Sequence, residues 1–249
     1  MHRFYHQAKA KYRREEFIPT ILGMVINPVY ILRNGLCSSI KKIAPIIDGN
    51  VLDFGCGSKP YESLFTNVNS YIGVDIEVSG HNHSESKVDY FYDGKTLPFE
   101  DNQFDAVVSF EVFEHIFNIS QILSELKRVL KPSGNLLISI PFSWNEHEAP
   151  YDFARYTSFG IKQILHENGF DVIELKKTTT YFLAIGQMFI AYLVQHIQPK
   201  NKWLGLLFQI GIIFPINLFT QTINFVLPKK FEYFCNIVVL ARKQVRQLT

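Results

Sequence analysis

Residues 51–65 read VLDFGCGSKPYESLF. An apolar run ends in an acid, two glycines follow one residue apart, and a helix start comes next. A strand that ends in Gly-x-Gly and runs into a helix places backbone N–H groups and a helix N-terminus around a ligand. Gly55 and Gly57 suit that task, because a Cβ there would block close approach or the required φ. Dinucleotide-binding enzymes use the same device, so the turn alone decides little. The discrimination lies around it. The dinucleotide pattern wants a third glycine near position 60, where this chain has Pro60. Asp53, just before the turn, would repel a diphosphate and suits a ligand with a cationic group. Asp75, which ends the next apolar run, fits either ligand, since a carboxylate can accept from two ribose hydroxyls at once.

From Asn50 onward, strand-like and helix-like segments alternate, the order that produces a parallel sheet with helices on its faces. NVLDFG, YIGVDI, KVDYFY and FDAVVSF read as the first four strands, and NLLISIPF as the fifth after a KPSG turn. Between the last two, Ile119, Ile122, Leu123, Leu126, Val129 and Leu130 recur at the spacing of a helix packed on a sheet. Asn118 and Gln121 have the spacing of a capping box. TSFGIKQILHENGF reads as a second amphipathic helix ended by Gly169. DVIELKKT and NIVVLARK complete the strands.

The blocks VLDFGCG, YIGVDI, DGKTLPFEDNQFDAVVSFEVFEHI and ELKRVLKPSGNLLISIPF occur in that order between residues 51 and 141. Residues from about 51 to 171 resemble a class I, seven-stranded S-adenosylmethionine-dependent methyltransferase of the type 11-like group, which includes ubiquinone and sugar O-methyltransferases. The resemblance implies an α/β, Rossmann-like, mostly parallel sheet of seven strands with helices on both faces. It implies S-adenosylmethionine as cofactor, with Asp53, Gly55, Cys56 and Gly57 at the methionine end and Asp75 and Ile76 at the ribose. Asp93 and Gly94 would face the adenine, and Phe110 and Glu111 would line the cofactor floor. One departure is Gly94, where the family more often has a small side chain.

Two clusters compete to supply a general base, which is needed if the acceptor is a hydroxyl whose proton must leave. One is FEHI, where His115 follows the fourth strand; in similar sugar and small-molecule O-methyltransferases a histidine in this region has been proposed as the base. The other is PFSWNEHEAPYDFARYT after the fifth strand, where an α/β sheet carries its working loops. It concentrates Glu146, His147, Glu148, Asp152, Arg155 and Tyr156, among which Asp152 and Arg155 can also pair with each other. The candidate catalytic residues are therefore His115, His147 and Asp152. His81 and His83 in HNH read as a surface loop, and no metal site is expected.

A net charge of +2 is too small to argue for a nucleic-acid partner, and the three cysteines form no disulfide or zinc pattern. A basic N-terminus followed by an apolar stretch imitates a signal peptide, but Pro19, Asn27 and Pro28 interrupt it and no small-residue cleavage site follows. A cytoplasmic enzyme fits, with peripheral contact at the inner face of a membrane. The reason for that contact is residues 181–230: between Tyr181 and Leu227 the only formally charged side chains are Lys200 and Lys202. WLGLLFQIGIIF is apolar all round, whereas INLFTQTINFVL puts Asn217, Thr220, Gln221 and Asn224 on one stripe. The expectation is an apolar helical insertion broken at Pro215, buried against the catalytic domain, lying in a membrane plane, or spanning it. The expected division is a helical cap over 1–48, the methyltransferase domain over 49–180 and 231–249, and the insertion over 181–230. The loop HEAPYDFARYT, with NPVYILRNGLCSSIKKIAP before the first strand, resembles a bacterial subset found among surface-polysaccharide and glycolipid functions. The acceptor it implies is a sugar, a glycolipid or another small or lipid-linked molecule. Two rival readings remain: a non-catalytic module of the same fold, which the intact Asp53, Gly55, Gly57, Asp75 and Asp93 oppose, and an NAD-dependent oxidoreductase.

Overall fold

The first strand, β1 (Gly49–Phe54), is buried from Val51 to Phe54, as a strand covered on both faces must be. In the computed structural model, residues 12–77 and 86–245 are described; the HNH loop, His81 and His83 fall outside them. The strands that follow are β2 (Val68–Ile76), β3 (Tyr90–Tyr92), β4 (Phe104–Phe110), β5 (Leu130–Pro141), β6 (Phe170–Lys177) and β7 (Asn236–Lys243). They form one seven-stranded sheet in the order β3-β2-β1-β4-β5-β7-β6. β1 pairs in parallel with β2 and β4, β2 with β3, and β4 with β5. β7 runs against β6: Gln244 N donates to Gly169 O at one end, and Thr178 N to Asn236 O at the other. The sheet is therefore mixed, with a parallel body. Strand order reverses between β1 and β4, and the C-terminal ends of these strands frame the crevice where such sheets bind ligands.

The stripe read between β4 and β5 is a helix, Ile119–Val129, that buries Ile122, Leu123, Leu126 and Val129. Each such burial contributes roughly 1.5–3 kcal/mol. Asn118 caps it by accepting from Gln121 N at 3.4 Å. Gln121 Oε1 returns to the Asn118 side chain rather than to its backbone, so the box is only half formed. The second helix, Ser158–Glu167, is capped by Thr157 and ends before Gly169 at φ +82°. β5 departs from expectation. It begins at Leu130, and KPSG is an irregularity inside it, with Ser133 at φ +60° and the register shifted between Phe104 and Ala106.

Two compact units divide the chain: residues 39–176 with 237–249, and residues 1–38 with 177–236. The N-terminal segment and the apolar insertion, read as separate pieces from the sequence, thus belong to one unit. Within it, helix Tyr181–His196 and a continuous helical stretch from Lys202 to Val226 pack with Tyr30 and Ile31, burying Ile190 and Ile213. Pro215 does not break that stretch. Residues Gln209–Ile213, just before it, are wound as a π-helix, a wider turn that accommodates a residue with no N–H to donate.

Four polar residues of this unit's helices, Gln187, Gln209, Asn217 and Thr220, point inward. Gln187 is fully buried; it donates to Pro28 O at 3.0 Å and accepts from Leu32 N at 3.1 Å. Asn217 Nδ2 donates to Met24 O and Gln209 Nε2 to Val25 O. A Cβ on Gly186 would lie 2.4 Å from Thr220 Cγ2, so the two helices touch at a glycine. Outward face Phe189, Trp203, Leu207, Phe219 and Phe225.

Candidate functional site

The turn after β1 is built as its glycines imply, but for two different reasons. Gly55 has φ +70°, and a Cβ there would lie 2.4 Å from Val112 Cγ2, so its bareness serves packing inside the protein. Gly57 has φ +47° and nothing within 4 Å of the place its Cβ would take. That open cradle is the space a ligand's approach requires. Gly55→Ala should therefore destabilise the fold by roughly 2–4 kcal/mol, from overpacking plus left-handed strain. Gly57→Ala should cost only about 1 kcal/mol of stability, and its larger effect should be on ligand affinity. Thermal melts and calorimetry on the two variants check the contrast.

Around the cradle stand the acids expected from the sequence. Asp75 Oδ2 accepts from Gly57 N at 3.0 Å, and Oδ1 from Ile76 N at 2.8 Å, so the carboxylate ties the second strand end to the turn. Asp53 is buried and accepts from the Tyr71 hydroxyl at 2.8 Å. Tyr71 was not expected in the site, although the register makes it legible: Gly73 is opposite Asp53, and Tyr71 shares a face with Gly73. Lys59, also buried, pairs with Asp89, whose carboxylate further accepts from Gly73 N at 2.6 Å. Cys56 is buried beside Gly73, and burial pushes its thiol pKa up. Asp93 uses Oδ1 to accept from Lys95 N and Thr96 N, both at 2.8 Å, which shapes its own loop. Gly94 has φ +80° with Ile76 Cδ1 3.2 Å from a notional Cβ, which explains the glycine where the family has a small side chain. That loop is pinned from behind by Arg128, which donates to Glu125, Asp101, Phe99 O and Leu97 O. Phe110 packs against Tyr61 and Phe65, at ring separations of 5.0 and 6.3 Å.

Burial raises the Asp53 pKa to about 7, against the lowering influence of Tyr71 and Lys59 and with help from Asp75 and Glu62. The folded carboxyl holds a proton that the unfolded one, with a pKa near 3.8, has released. Its contribution to stability is complete below about pH 3.8 and is lost as pH rises through 7. We expect the melting temperature of the ligand-free protein to fall between pH 5 and 8, by an amount worth up to about 3 kcal/mol. Asp53→Asn should flatten that profile, and an unchanged slope would contradict the assignment.

The second half of the site follows β4. Glu111, at the end of that strand, has φ +57°, an unfavourable conformation for a residue with a Cβ. Its N–H donates to Ser139 O, and its Oε1 accepts from Ser139 Oγ at 2.7 Å, bonds that hold it there. A single 3₁₀ turn, Phe113–His115, then brings Glu114 and His115 inward. His115 does not cap the next helix, since Asn118 does. Phe153 N and Ala154 N both donate to Glu114 O, so the loop after β5 is laced onto this turn. His147 consequently lies beside His115, with ring centroids 4.9 Å apart.

Each imidazole is oriented through Nδ1. His115 Nδ1 faces Tyr151 O at 2.8 Å, and His147 Nδ1 faces Asp152 Oδ2 at 3.1 Å and Asn145 O at 3.3 Å. These partners only accept, so Nδ1 carries the proton in both rings and Nε2 is left with its lone pair. Asp152 is in turn held by Arg155, at 2.5 and 2.7 Å, and that guanidinium keeps its carboxyl well below the usual range. The pair foreseen as an alternative to a catalytic role for Asp152 thus exists and also orients His147. Glu114 was not foreseen as a site residue. It is fully buried, neither carboxylate oxygen has a hydrogen-bond partner, and burial together with the nearby Glu111 raises its pKa far above normal.

A family model described as a methyltransferase domain matches residues 30–175. The chain belongs to the methyltransferase-domain family. Its fold is that of class I S-adenosylmethionine-dependent methyltransferases, with S-adenosylmethionine as cofactor, and the oxidoreductase reading falls. The chain is 37% identical over 68 residues to the ubiquinone biosynthesis O-methyltransferase of Dictyostelium discoideum, covering 27% of this chain and 20% of that one. It is 34% identical over 96 residues to the phthiotriol/phenolphthiotriol dimycocerosates methyltransferase 1 of Mycobacterium ulcerans, covering 35% of each. The matches thus span only about a fifth to a third of those relatives' own lengths. Among solved structures, the phosphoethanolamine N-methyltransferase 2 of Haemonchus contortus in complex with S-adenosyl-L-methionine shares the fold. The TM-score is 0.52 at 20% identity, covering 93% of this chain and 59% of that one.

The residues present fit the cofactor. Gly57 leaves the cradle open, Asp75 retains lone pairs that could accept from ribose hydroxyls, and Asp53 offers a buried acid beside the turn. When bound, S-adenosylmethionine supplies a methyl group on a cationic sulfur.

Proposed function

We propose that this methyltransferase methylates a hydroxyl oxygen on a sugar or lipid-linked acceptor. The observation that carries the reading is the pair of Nε2 lone pairs on His115 and His147. A hydroxyl that gains a methyl group must lose its proton, and a lone pair fixed beside the cofactor end of β4 is what that requires. Tyr151 O and Asp152 hold the two rings in the tautomer that leaves Nε2 able to accept. Arg155 keeps Asp152 ionised, so His147 retains its orienting partner through the reaction. The remaining contribution is to hold the acceptor oxygen in line with the methyl group.

The lipid-linked acceptor class draws support from the inverted helical unit. Its polar side chains, Gln187, Asn217 and Thr220, are buried, while large apolar ones are exposed, the arrangement expected where lipid rather than water is the surroundings. The stretch from Lys202 to Val226 is long and apolar enough to cross a membrane, and only 28% of it is buried. We read it as a surface that enters one membrane leaflet in plane, with Lys200, Lys202, Lys229 and Lys230 near the headgroups. The relatives that act in ubiquinone biosynthesis and on dimycocerosates point to the same acceptor class.

The test uses methyl-labelled S-adenosylmethionine with a membrane lipid extract, free sugars and simple amines as acceptors. The reading expects label in a product that survives the mild alkali that cleaves methyl esters, with vesicles binding the protein in high salt. Label found only on nitrogen or in esters would overturn methylation of a hydroxyl. A protein that ignores vesicles would remove the lipid half.

A further inference from the structure

No metal motif is written in the sequence, yet the fold assembles one set of ligand atoms at the acceptor side of the cleft. We propose that Glu114, His115 and His147, with Glu148 at the rim, bind a divalent transition-metal ion of the zinc or manganese kind. The ligand atoms of the first three lie within 4.8 Å of one another. His115 Nε2 is 3.7 Å from Glu114 Oε1 and 3.6 Å from Glu148 Oε2, and His147 Nε2 is 3.9 Å from Glu148 Oε1. Ligands about 2.1 Å from a tetrahedral ion stand about 3.4 Å apart, so the three closest contacts need a few tenths of an ångström of closure and the widest pair up to about 1.4 Å.

Three independent features point to an ion rather than to a chance grouping. Both oxygens of the fully buried Glu114 are without a hydrogen-bond partner, and so is the buried Nε2 of His115. Ionised, a carboxyl group in that position needs a cation, and the terminal nitrogens of the nearby Arg155 guanidinium are taken by Asp152, Ala154 O and Asn145 O. Each histidine gives its Nδ1 proton to a backbone carbonyl or a carboxylate, the outer-shell arrangement that fixes metal-binding imidazoles. Two imidazoles with carboxylates select zinc, manganese or iron over calcium and magnesium, which prefer oxygen alone.

The inference rests on the O-methylation reading and changes one step of it: with the ion bound, the two Nε2 lone pairs hold the metal rather than take the acceptor's proton. An acceptor hydroxyl in the ion's open position would ionise near neutrality. Its proton passes to solvent, the freed oxygen pair forms the C–O bond, and the C–S pair goes to sulfur. Untagged full-length protein, stripped with chelator and dialysed, is to be titrated with Zn²⁺ by calorimetry and with Mn²⁺ by electron paramagnetic resonance. One equivalent should bind. Glu114→Gln and His147→Ala should each weaken binding more than about 100-fold, and Asp152→Asn, which acts through His147, about 10–100-fold. Unchanged S-adenosylhomocysteine affinity certifies that the variants are folded; if Glu114→Gln fails that check, the half-exposed His147 carries the test alone. No saturable binding of either ion, or binding indifferent to His147→Ala, overturns the proposal. If the stripped enzyme methylates a hydroxyl at full rate in chelator, the ion falls while O-methylation stands. If the ion binds but no hydroxyl is methylated, the site stands without that function.

Discussion

His115→Ala should cut turnover by about 10²–10⁴ and leave S-adenosylhomocysteine affinity unchanged. In barrier terms this is about 2.7–5.4 kcal/mol, the contribution expected of a group that removes or holds off the acceptor's proton. The structure makes the prediction specific. His115 donates from Nδ1 to Tyr151 O and keeps Nε2 free of hydrogen bonds, so its lone pair is open to the reaction centre, as a base or through a bound ion. His147→Ala should fall in the same range, because its ring stacks edge-on against the first and is oriented by Asp152. The double variant should be little worse than the poorer single one, since both rings serve one centre and such effects do not add. Single-turnover rates with a hydroxyl acceptor measure all three. If both single variants turn over at near-normal rates, the histidine pair has no part in the chemistry.

Asp75→Ala should weaken S-adenosylhomocysteine at least about tenfold and, if two ribose bonds are lost, about a hundredfold or more. A carboxylate offers about four lone-pair positions, and two are used by Gly57 N and Ile76 N. The remainder are left for a ligand. The substitution also unties Gly57 from the second strand, so the turn that shapes the cradle loses an anchor. Asp75→Asn keeps one acceptor oxygen and should show an intermediate loss. Calorimetry with S-adenosylhomocysteine decides it, and equal affinity in Asp75→Ala and wild type would remove Asp75 from the cofactor site.

What the sequence disclosed is mostly what is decided locally. The β1 strand, the glycine turn and the helix Ile119–Val129 follow from side-chain period and turn chemistry, and each stands where those rules put it. The start of β5 was not legible, because only the left-handed Ser133 lets KPSG stay within a strand. The continuity of the helical stretch past Pro215 was hidden because a π-helical winding has no sequence signature of its own. The site shows the same division. Asp53, Asp75 and the glycines sit at strand ends, where an open α/β sheet forms its crevice whatever the rest of the chain does. Glu114 looked like any residue on a turn. That it faces inward depends on Phe153 and Ala154 returning from forty residues away to bond its carbonyl.

The inward-pointing polar side chains of the helical unit also set a timetable. Met24, Val25 and Pro28 offer the carbonyls that Asn217, Gln209 and Gln187 occupy, partners separated by 193, 184 and 159 positions. At the usual rate of synthesis, an N-terminal segment waits about 10–40 s for the last of them to emerge. Strand β7, which completes the sheet of the other unit, is made later still. Neither unit can close early in synthesis, so the newborn chain carries an uncovered apolar segment for most of its time on the ribosome.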